Sequence, residues 1–325
     1  MRLLPFLAVP LALAIALVPP ARAQARPDSL VTRFDWPVGM RAIVHFERAR
    51  ARSVPGRTSD TTRFAASYRV QVAAHAEGRL VSVDSLTVLA VPRAPDAPPT
   101  ELPAELVASM QPSYVVSDAG AFVRVANIAR MKAFIDTMIA ERTRTTTSRL
   151  AESQRAALAG LVSEQALSAV AAEQWNAVVD LWADEDWVVG KRYRSSAETP
   201  VPMLPGFQIL LHSTIAAEAR VACTVGGDPR GCVRLRMTSR PDSAGLRRFF
   251  TEMGRMVQAP PDIDIGAMMR DAQLDTEVVL VTEPTSLRPH DVRITRRVRF
   301  DVPSSPREPG GRVSTYDEQH YRYTY

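Results

Sequence analysis

The sequence lacks the short motifs that identify zinc proteases, α/β-hydrolases, P-loop proteins and β-lactamases. None of its five histidines stands in an H-E-x-x-H or similar metal-ligand pattern. There is no G-x-S-x-G elbow, no P-loop and no S-x-x-K motif. A Ser-His-Asp set assembled from distant segments stays open, because such triads are defined by geometry. We therefore predict no catalytic residue and no cofactor.

The chain also lacks a strong charge imbalance and a membrane-spanning run. Forty basic and 35 acidic residues give a formal net charge of +5, and both signs are interspersed, so we expect no nucleic-acid partner. No window after the N-terminal region holds about 18 uninterrupted apolar residues, which predicts no transmembrane span in the mature chain. The composition, 46% hydrophobic and 23% charged, excludes a collagen-like, coiled-coil or fully disordered chain.

Cysteine is scarce as well. The two cysteines, Cys223 and Cys232, bracket a turn-rich loop between two strand-like runs. In an oxidising compartment we expect a disulfide that closes this hairpin, and two free thiols are the alternative. We predict no metal site, because neither a second cysteine pair nor a histidine nearby in the sequence completes a ligand set.

The first 23 residues have the pattern of a secretory signal peptide. Arg2 supplies a positive charge, an apolar stretch follows from Leu3 to Val18, and Ala21-Arg22-Ala23 fits the small-x-small cleavage rule. We therefore expect a mature chain that begins at Gln24 and lies in the periplasm or outside the cell. No cysteine follows the apolar stretch, which disfavours a lipoprotein anchor.

Alternating apolar residues predict an antiparallel β-meander in residues 24–126. A first strand is expected over 41–50 and a third over 80–91. The long strand between them carries apolar residues at every second position, namely Phe64, Ala66, Tyr68, Val70 and Val72. The proline-rich segment 92–103 is expected to lie outside the sheet, because proline cannot donate a ladder hydrogen bond.

Helical spacing replaces the two-residue period between 127 and 183, where we predict two or three helices. Residues 184–325 return to strands, with one or two helices among them. Tyr321, Tyr323 and Tyr325 alternate, which predicts a final strand that packs tyrosines on a sheet. The fold class is therefore α+β, a large curved antiparallel sheet with helices packed against it. Residues 24–325 form either these three regions or a single domain.

One internal similarity raises the alternative of two related β units, although convergence is the simpler interpretation. Trp36-Pro-Val-Gly39-Met-Arg41 and Trp187-Val-Val-Gly190-Lys-Arg192 share the pattern W-x-V-G-x-R just before a predicted strand. Convergence would place a tryptophan over the end of a sheet and a glycine at the turn.

Candidate ligand-binding residues lie on the amphipathic helices and on one strand. Methionines suit an adaptable apolar pocket, although plain core filling is the alternative. The strand at 291–302 presents arginines on one face, which fits cross-strand pairing with carboxylates or recognition of anionic head groups. The predicted set is Met131, Met138, Phe249, Phe250, Met253, Arg293, Arg297 and Arg299.

The order of elements resembles that of exported bacterial proteins with the curved-sheet architecture of LolA- and LprG-type lipoprotein carriers. Long meander strands, the Tyr114–Val125 hairpin, a helical excursion and further long strands carry the resemblance. It implies an apolar cavity between sheet and helices that holds acyl chains. We therefore expect an envelope protein that binds a hydrophobic or amphipathic ligand such as a lipid. The alternatives are a structural protein with an envelope protein partner, and a hydrolase with a dispersed active site.

Overall fold

A computed structural model describes residues 28–56, 59–90, 98–145, 162–201, 204, 206–256, 271–302 and 310–325. The predicted signal peptide at 1–23 lies outside these residues. Across the described ranges, no helix is long and apolar enough to span a membrane. The same residues form a large antiparallel sheet, a separate two-stranded sheet and four α-helices.

The N-terminal region contributes seven of the described strands. They are β1 (Ser29–Val31), β2 (Arg41–Ser53), β3 (Asp60–His75), β4 (Gly78–Ala90), β5 (Thr100–Leu102), β6 (Tyr114–Val116) and β7 (Phe122–Val125). The helices of this part are α1 (Ala104–Met110), α2 (Ile128–Thr145) and α3 (Glu164–Val178). The Ser163 side chain caps α3, since it accepts a hydrogen bond from the Ala166 amide at 3.2 Å.

A short 3-10 turn at Asp180–Trp182 leads from α3 into the second part of the chain. Its elements are β8 (Asp186–Val188), β9 (Arg192–Pro200), β10 (Gln208–Val221), β11 (Cys232–Pro241), α4 (Ser243–Met256), β12 (Gln273–Thr282), β13 (Pro289–Val302) and β14 (Gly311–Thr324). Strands β1 and β8 pair with each other and form the two-stranded sheet.

The two parts of the chain form one continuous large sheet. Its strand order is β7-β6-β4-β3-β2-β14-β13-β12-β11-β10-β9, with β5 paired to β4 off this path. The parts meet where β14 pairs with β2, a register that sets Val44 opposite Tyr323. Among the described strands, β7 and β9 are the two ends of this order, so the sheet is open. The prediction of a large antiparallel sheet is confirmed.

The proline-rich segment differs from its prediction in one respect. Thr100–Leu102 form β5 and pair with β4, although 92–103 is expected to lie outside the sheet. The strand pairs on one side only and stops before Pro103, so no proline has to donate a ladder hydrogen bond within it. Residues 91–97 lie outside the described part of the chain.

One face of the large sheet carries the apolar side chains, and we term it the inner face. Val44 on β2 opposes Tyr68 on β3 and Tyr323 on β14, and all three side chains point to this face. The period of two in β3 therefore has a simple cause, because every second residue packs inward. Val44 is fully buried there, and Ile294 of β13 is 6% exposed.

The W-x-V-G-x-R pattern has the same structural role at both of its positions. Trp36 and Trp187 are both buried in the main core. Gly39 and Gly190 both have positive φ angles, +89° and +84°. Each glycine amide donates a 2.8 Å hydrogen bond to a carbonyl in the second strand of the meander that follows. The motif thus fastens the start of β2–β4 and of β9–β11 in the same way.

Cys223 and Cys232 form the predicted disulfide, with Cα atoms 5.0 Å apart. The bond closes the β10–β11 hairpin. A ring nitrogen of His290, distant in sequence, lies within 4.8 Å of the two sulfur atoms. Both sulfurs are committed to the disulfide, so they are not thiolate ligands in this structure.

Candidate ligand-binding cavity

A cavity of about 380 Å³ lies between the inner face of the sheet and the helices α1 and α3. Strands β2, β3, β4, β13 and β14 form its floor. Residues of α1, the segment after it, β6 and α3 form its cover. The lining is mainly aliphatic and aromatic, which is typical of small-molecule pockets of this size. Besides tyrosine hydroxyls, its polar side chains are Arg48, Ser82, Gln111, Gln174 and Gln319.

Stacked aromatic rings close one end of the cavity. The ring centroid of Trp175, on α3, lies 5.5 Å from that of Trp36 and 5.4 Å from that of Tyr114. Phe34 completes the cluster, 5.5 Å from Trp36 and 6.0 Å from Trp175. Such edge-on and tilted pairs are favourable beyond their buried area. The cluster connects the cavity wall to the main core of the protein.

Hydrogen bonds fix the orientation of the two tryptophans. Trp175 Nε1 donates to the carbonyl oxygen of Gly120 at 2.7 Å, and Trp36 Nε1 donates to that of Leu287 at 3.1 Å. Both indole donors are therefore satisfied within the protein. They are not available to a molecule in the cavity, which meets only the apolar surfaces of these rings.

Arg48 and Asp317 supply charge at the cavity wall. The Arg48 guanidinium donates from Nε at 2.9 Å and from its terminal nitrogen, so the pairing is bidentate. The hydrogen bond to Asp317 raises the pKa of Arg48 further above its usual value. The Arg48 side chain is 44% exposed, whereas that of Asp317 is 15% exposed. Phe46, two residues away on the same face, stacks 4.8 Å from Tyr321.

Four tyrosines, Tyr68, Tyr114, Tyr321 and Tyr323, line the same space. Each side chain is half-buried and lines the cavity. Burial raises the pKa of Tyr321 to about 12 and raises the other three pKa values further above the usual value of 10. All four side chains are therefore neutral hydroxyls at physiological pH.

The predicted helix residues lie elsewhere in the structure. Met131 is 8% exposed and packs against Val125 in a small cluster, whereas Met138 is 54% exposed. Phe249 and Phe250 pack in a second apolar cluster, which joins α4 to the end of the sheet formed by β10, β12 and β13. Met253, on the same helix, is half-buried. None of these residues lines the cavity.

The predicted arginines lie on the opposite face of the sheet. Ile294 points into the cavity, so Arg293, Arg297 and Arg299 point away from it. Arg297 lies 3.9 Å from Glu277 of the neighbouring strand and over the ring of Tyr316. Arg293 and Arg299 are exposed. The structure therefore brings the predicted helix residues and arginines to three separate places.

The cavity residues themselves were visible in the sequence only as ordinary strand positions. Tyr68 belongs to the period-two pattern of β3, and Tyr321 and Tyr323 belong to the alternation at the end of the chain. The tyrosine content of β3 and β14, which share one face of the sheet, is the sequence signal that could have identified these residues. That they meet depends on the pairing of β2 with both strands, which no local pattern encodes.

A serine–histidine pair is present but lies outside the cavity. Ser196 Oγ and His212 Nδ1 are 2.8 Å apart on β9 and β10, and both residues are exposed. No carboxylate among the described residues hydrogen bonds to His212. The pair therefore lacks the orienting acid of a catalytic triad.

Comparison with known proteins does not assign a family. No family model matches the chain, and no curated protein matches it in sequence. A structure titled "lipid-protein interactions in lipovitellin" aligns with 90% of this chain at 7% identity and a TM-score of 0.38, and this chain spans 26% of it. An outer membrane channel from Pseudomonas putida aligns over 90% of this chain and 98% of its own, at 8% identity and a TM-score of 0.18. The resemblance to LolA- and LprG-type carriers stays a prediction.

Proposed function

We propose that this protein binds an apolar or amphipathic molecule, such as a lipid, in the cavity beneath α1 and α3. The observation that carries the proposal is the apolar and aromatic lining of an internal space of about 380 Å³. Atoms that line an empty cavity lose packing partners, which costs stability. A ligand of matching polarity restores those contacts, so occupation of the cavity stabilises the folded protein.

The charged pair at the cavity wall favours an amphipathic ligand. Arg48 is partly exposed and already neutralised by Asp317. A ligand can therefore place its apolar body against the aromatic rings and its polar end beside this pair, where water is accessible. The pair contributes hydrogen-bonding groups without imposing a net charge.

We further propose that the protein acts in the periplasm or outside the cell, where it holds or transfers this ligand. The Cys223–Cys232 disulfide supports this location, because disulfides persist in oxidising compartments. The signal-like pattern of residues 1–23 points the same way.

Native mass spectrometry of protein purified from its own cells, followed by organic extraction, tests the proposal directly. We expect a bound apolar molecule, or binding of N-phenylnaphthylamine by the stripped protein. In the Val88→Trp variant the indole fills the cavity, and dye binding should be lost. The control is Leu89→Trp at the next position, which is 37% exposed and does not line the cavity. Equal binding by both variants would contradict the proposal.

A further inference from the structure

Two hydroxyls in the cavity have no hydrogen-bond partner among the described residues. Tyr114 donates to Gln174 at 3.2 Å, and Tyr321 donates to Gln319 at 2.7 Å. Tyr68 and Tyr323 line the same space, but neither hydroxyl hydrogen bonds to any residue in the ranges that the structure describes. Neither hydroxyl is among the buried polar atoms that lack a partner, so both have accessible surface. These two hydroxyls are therefore free to bind something in the cavity.

The sheet places the two hydroxyls on the same part of the floor. Tyr68 and Tyr323 stand opposite Val44 from its two sides, on β3 and β14. Their Cα atoms are thus two strand spacings apart, roughly 10 Å. Val44 between them is fully buried and does not itself line the cavity. Each of the two hydroxyls is a donor that a molecule in the cavity can meet.

The surroundings of the pair select against a charged partner. Burial raises the pKa of both tyrosines, so each offers a neutral O–H donor. Arg48 is the cationic side chain among the described lining residues, and its guanidinium already pairs with Asp317. An anionic group beside Tyr68 and Tyr323 would therefore lack a free cation, and burying it would be costly.

We propose that the ligand of this cavity carries an uncharged oxygen acceptor, a ketone, ester or quinone-type carbonyl, to which Tyr68 and Tyr323 donate hydrogen bonds. This inference rests on the proposed function, since it names the chemical class of the molecule bound there. The apolar lining holds the body of the ligand, and the tyrosine pair fixes its orientation.

Two probes that share one skeleton test the inference. Hexanophenone and hexylbenzene differ by the carbonyl oxygen, and each competes with N-phenylnaphthylamine for the stripped protein. In Tyr68→Phe and Tyr323→Phe we expect the affinity for hexanophenone to fall about three- to tenfold, the range for one neutral hydrogen bond. The affinity for hexylbenzene should stay unchanged. The matched control is Tyr316→Phe on the opposite face of β14, whose hydroxyl donates to Glu318 and which does not line the cavity, so it should affect neither probe.

The outcomes separate this inference from the proposed function. If the dye binds the wild-type protein but the two variants change both probes equally, or neither, the tyrosine pair does not recognise a carbonyl and the cavity proposal stands. If Tyr316→Phe loses hexanophenone affinity to the same degree, the effect is not specific to the pair, which also overturns the inference. If the dye does not bind the wild-type protein, the proposed function itself fails. Circular dichroism of each variant confirms that it is folded.

Discussion

At the scale of single residues, a methyl group added at Gly120 would disturb the closed end of the cavity. Its φ angle is +87°, and a Cβ atom there would lie 2.5 Å from Cγ of Phe34. Its carbonyl oxygen also accepts the hydrogen bond of the Trp175 indole. A side chain at this position would displace the ring that packs against both tryptophans.

We expect Gly120→Ala to lower the free energy of unfolding by about 2–4 kcal/mol, which combines the cost of a left-handed residue with that of an overpacked core. Gly226→Ala is the control, because Gly226 has a similar φ of +80° but no atom near its missing Cβ. It should lose only about 1–2 kcal/mol. Urea unfolding measures both. Equal losses would show that the Phe34 contact does not matter.

Glu283 provides a prediction about pH. Burial disfavours its charged form, but hydrogen bonds from Ser286, His290 and Arg288 outweigh burial and lower the pKa of Glu283 below its usual 4.5. A pKa that is lower in the folded state means that ionisation stabilises the fold. This contribution is complete above the unfolded pKa and is lost as the pH falls through the folded pKa.

We therefore expect the free energy of unfolding to decrease on acidification below about pH 4.5. In Glu283→Gln this decrease should be smaller than in the wild-type protein. In Ser286→Ala the pKa of Glu283 is less depressed, so its share of the loss is smaller and is complete at a higher pH. Urea unfolding between about pH 3 and pH 6 measures these slopes. Identical slopes in wild type and Glu283→Gln would mean that this carboxylate does not contribute.

Sequence reasoning at this scale could identify the pair Cys223 and Cys232 but not the cavity residues. The two cysteines are close in the chain, so their relation is local. Tyr68 and Tyr323 are joined only through β2, and their patterns match those of any strand that packs on a core. Apolar helix positions such as Met131 have the same sequence pattern whether they line a cavity or pack in a solid cluster. The pattern therefore predicts them as ligand-binding residues, although they lie outside the cavity.

At the scale of elements, the β10–β11 hairpin depends on its disulfide. The cysteines are nine positions apart, and the loop between them contains turns rather than apolar anchors. We expect the Cys223→Ala/Cys232→Ala variant to lose about 2–3 kcal/mol of unfolding free energy, measured by urea unfolding. Dye binding by the folded protein should stay unchanged, because no cavity-lining residue lies between Val178 and Ile294. An unchanged urea midpoint would contradict this prediction.

Long elements with a clear period could be predicted, and so could the short Tyr114–Val125 hairpin, which forms β6 and β7, whereas other short elements could not. Strands β3 and β4 fall within a few residues of the expected ranges. Strands β1, β5 and β8 have three residues each, and α1 has seven. Such short elements have no measurable period. They form because the neighbouring chain offers a strand edge or an apolar surface.

At the scale of the whole molecule, β14 holds the two parts of the large sheet together. It pairs with β13 on one side and β2 on the other. The sequence predicts strands in both parts, but whether they form one sheet depends on this long-range pairing. Local sequence patterns do not decide this, because they indicate which side chains share a face of a strand but not which strand pairs with it.

We expect Thr315→Pro in β14 to cost about 3 kcal/mol or more, because this strand has neighbours on both sides and proline removes a ladder hydrogen bond. The control is Ser195→Pro in β9, which stands at the end of the sheet and pairs only with β10. Thermal unfolding followed by circular dichroism should show a large loss for Thr315→Pro and a smaller one for Ser195→Pro. Similar losses would show that β14 is no more important than an edge strand.

The pairing of β2 with β14 also sets the order of events while the protein is being made. Arg48 and Asp317, which meet at the cavity wall, are 269 positions apart in the chain. The ribosome therefore finishes β2 long before its partner exists, and β2 keeps an open edge throughout that interval. The cavity is completed only when β14 has been synthesised and has paired with β2. No molecule can therefore occupy the complete cavity until β14 has paired with β2.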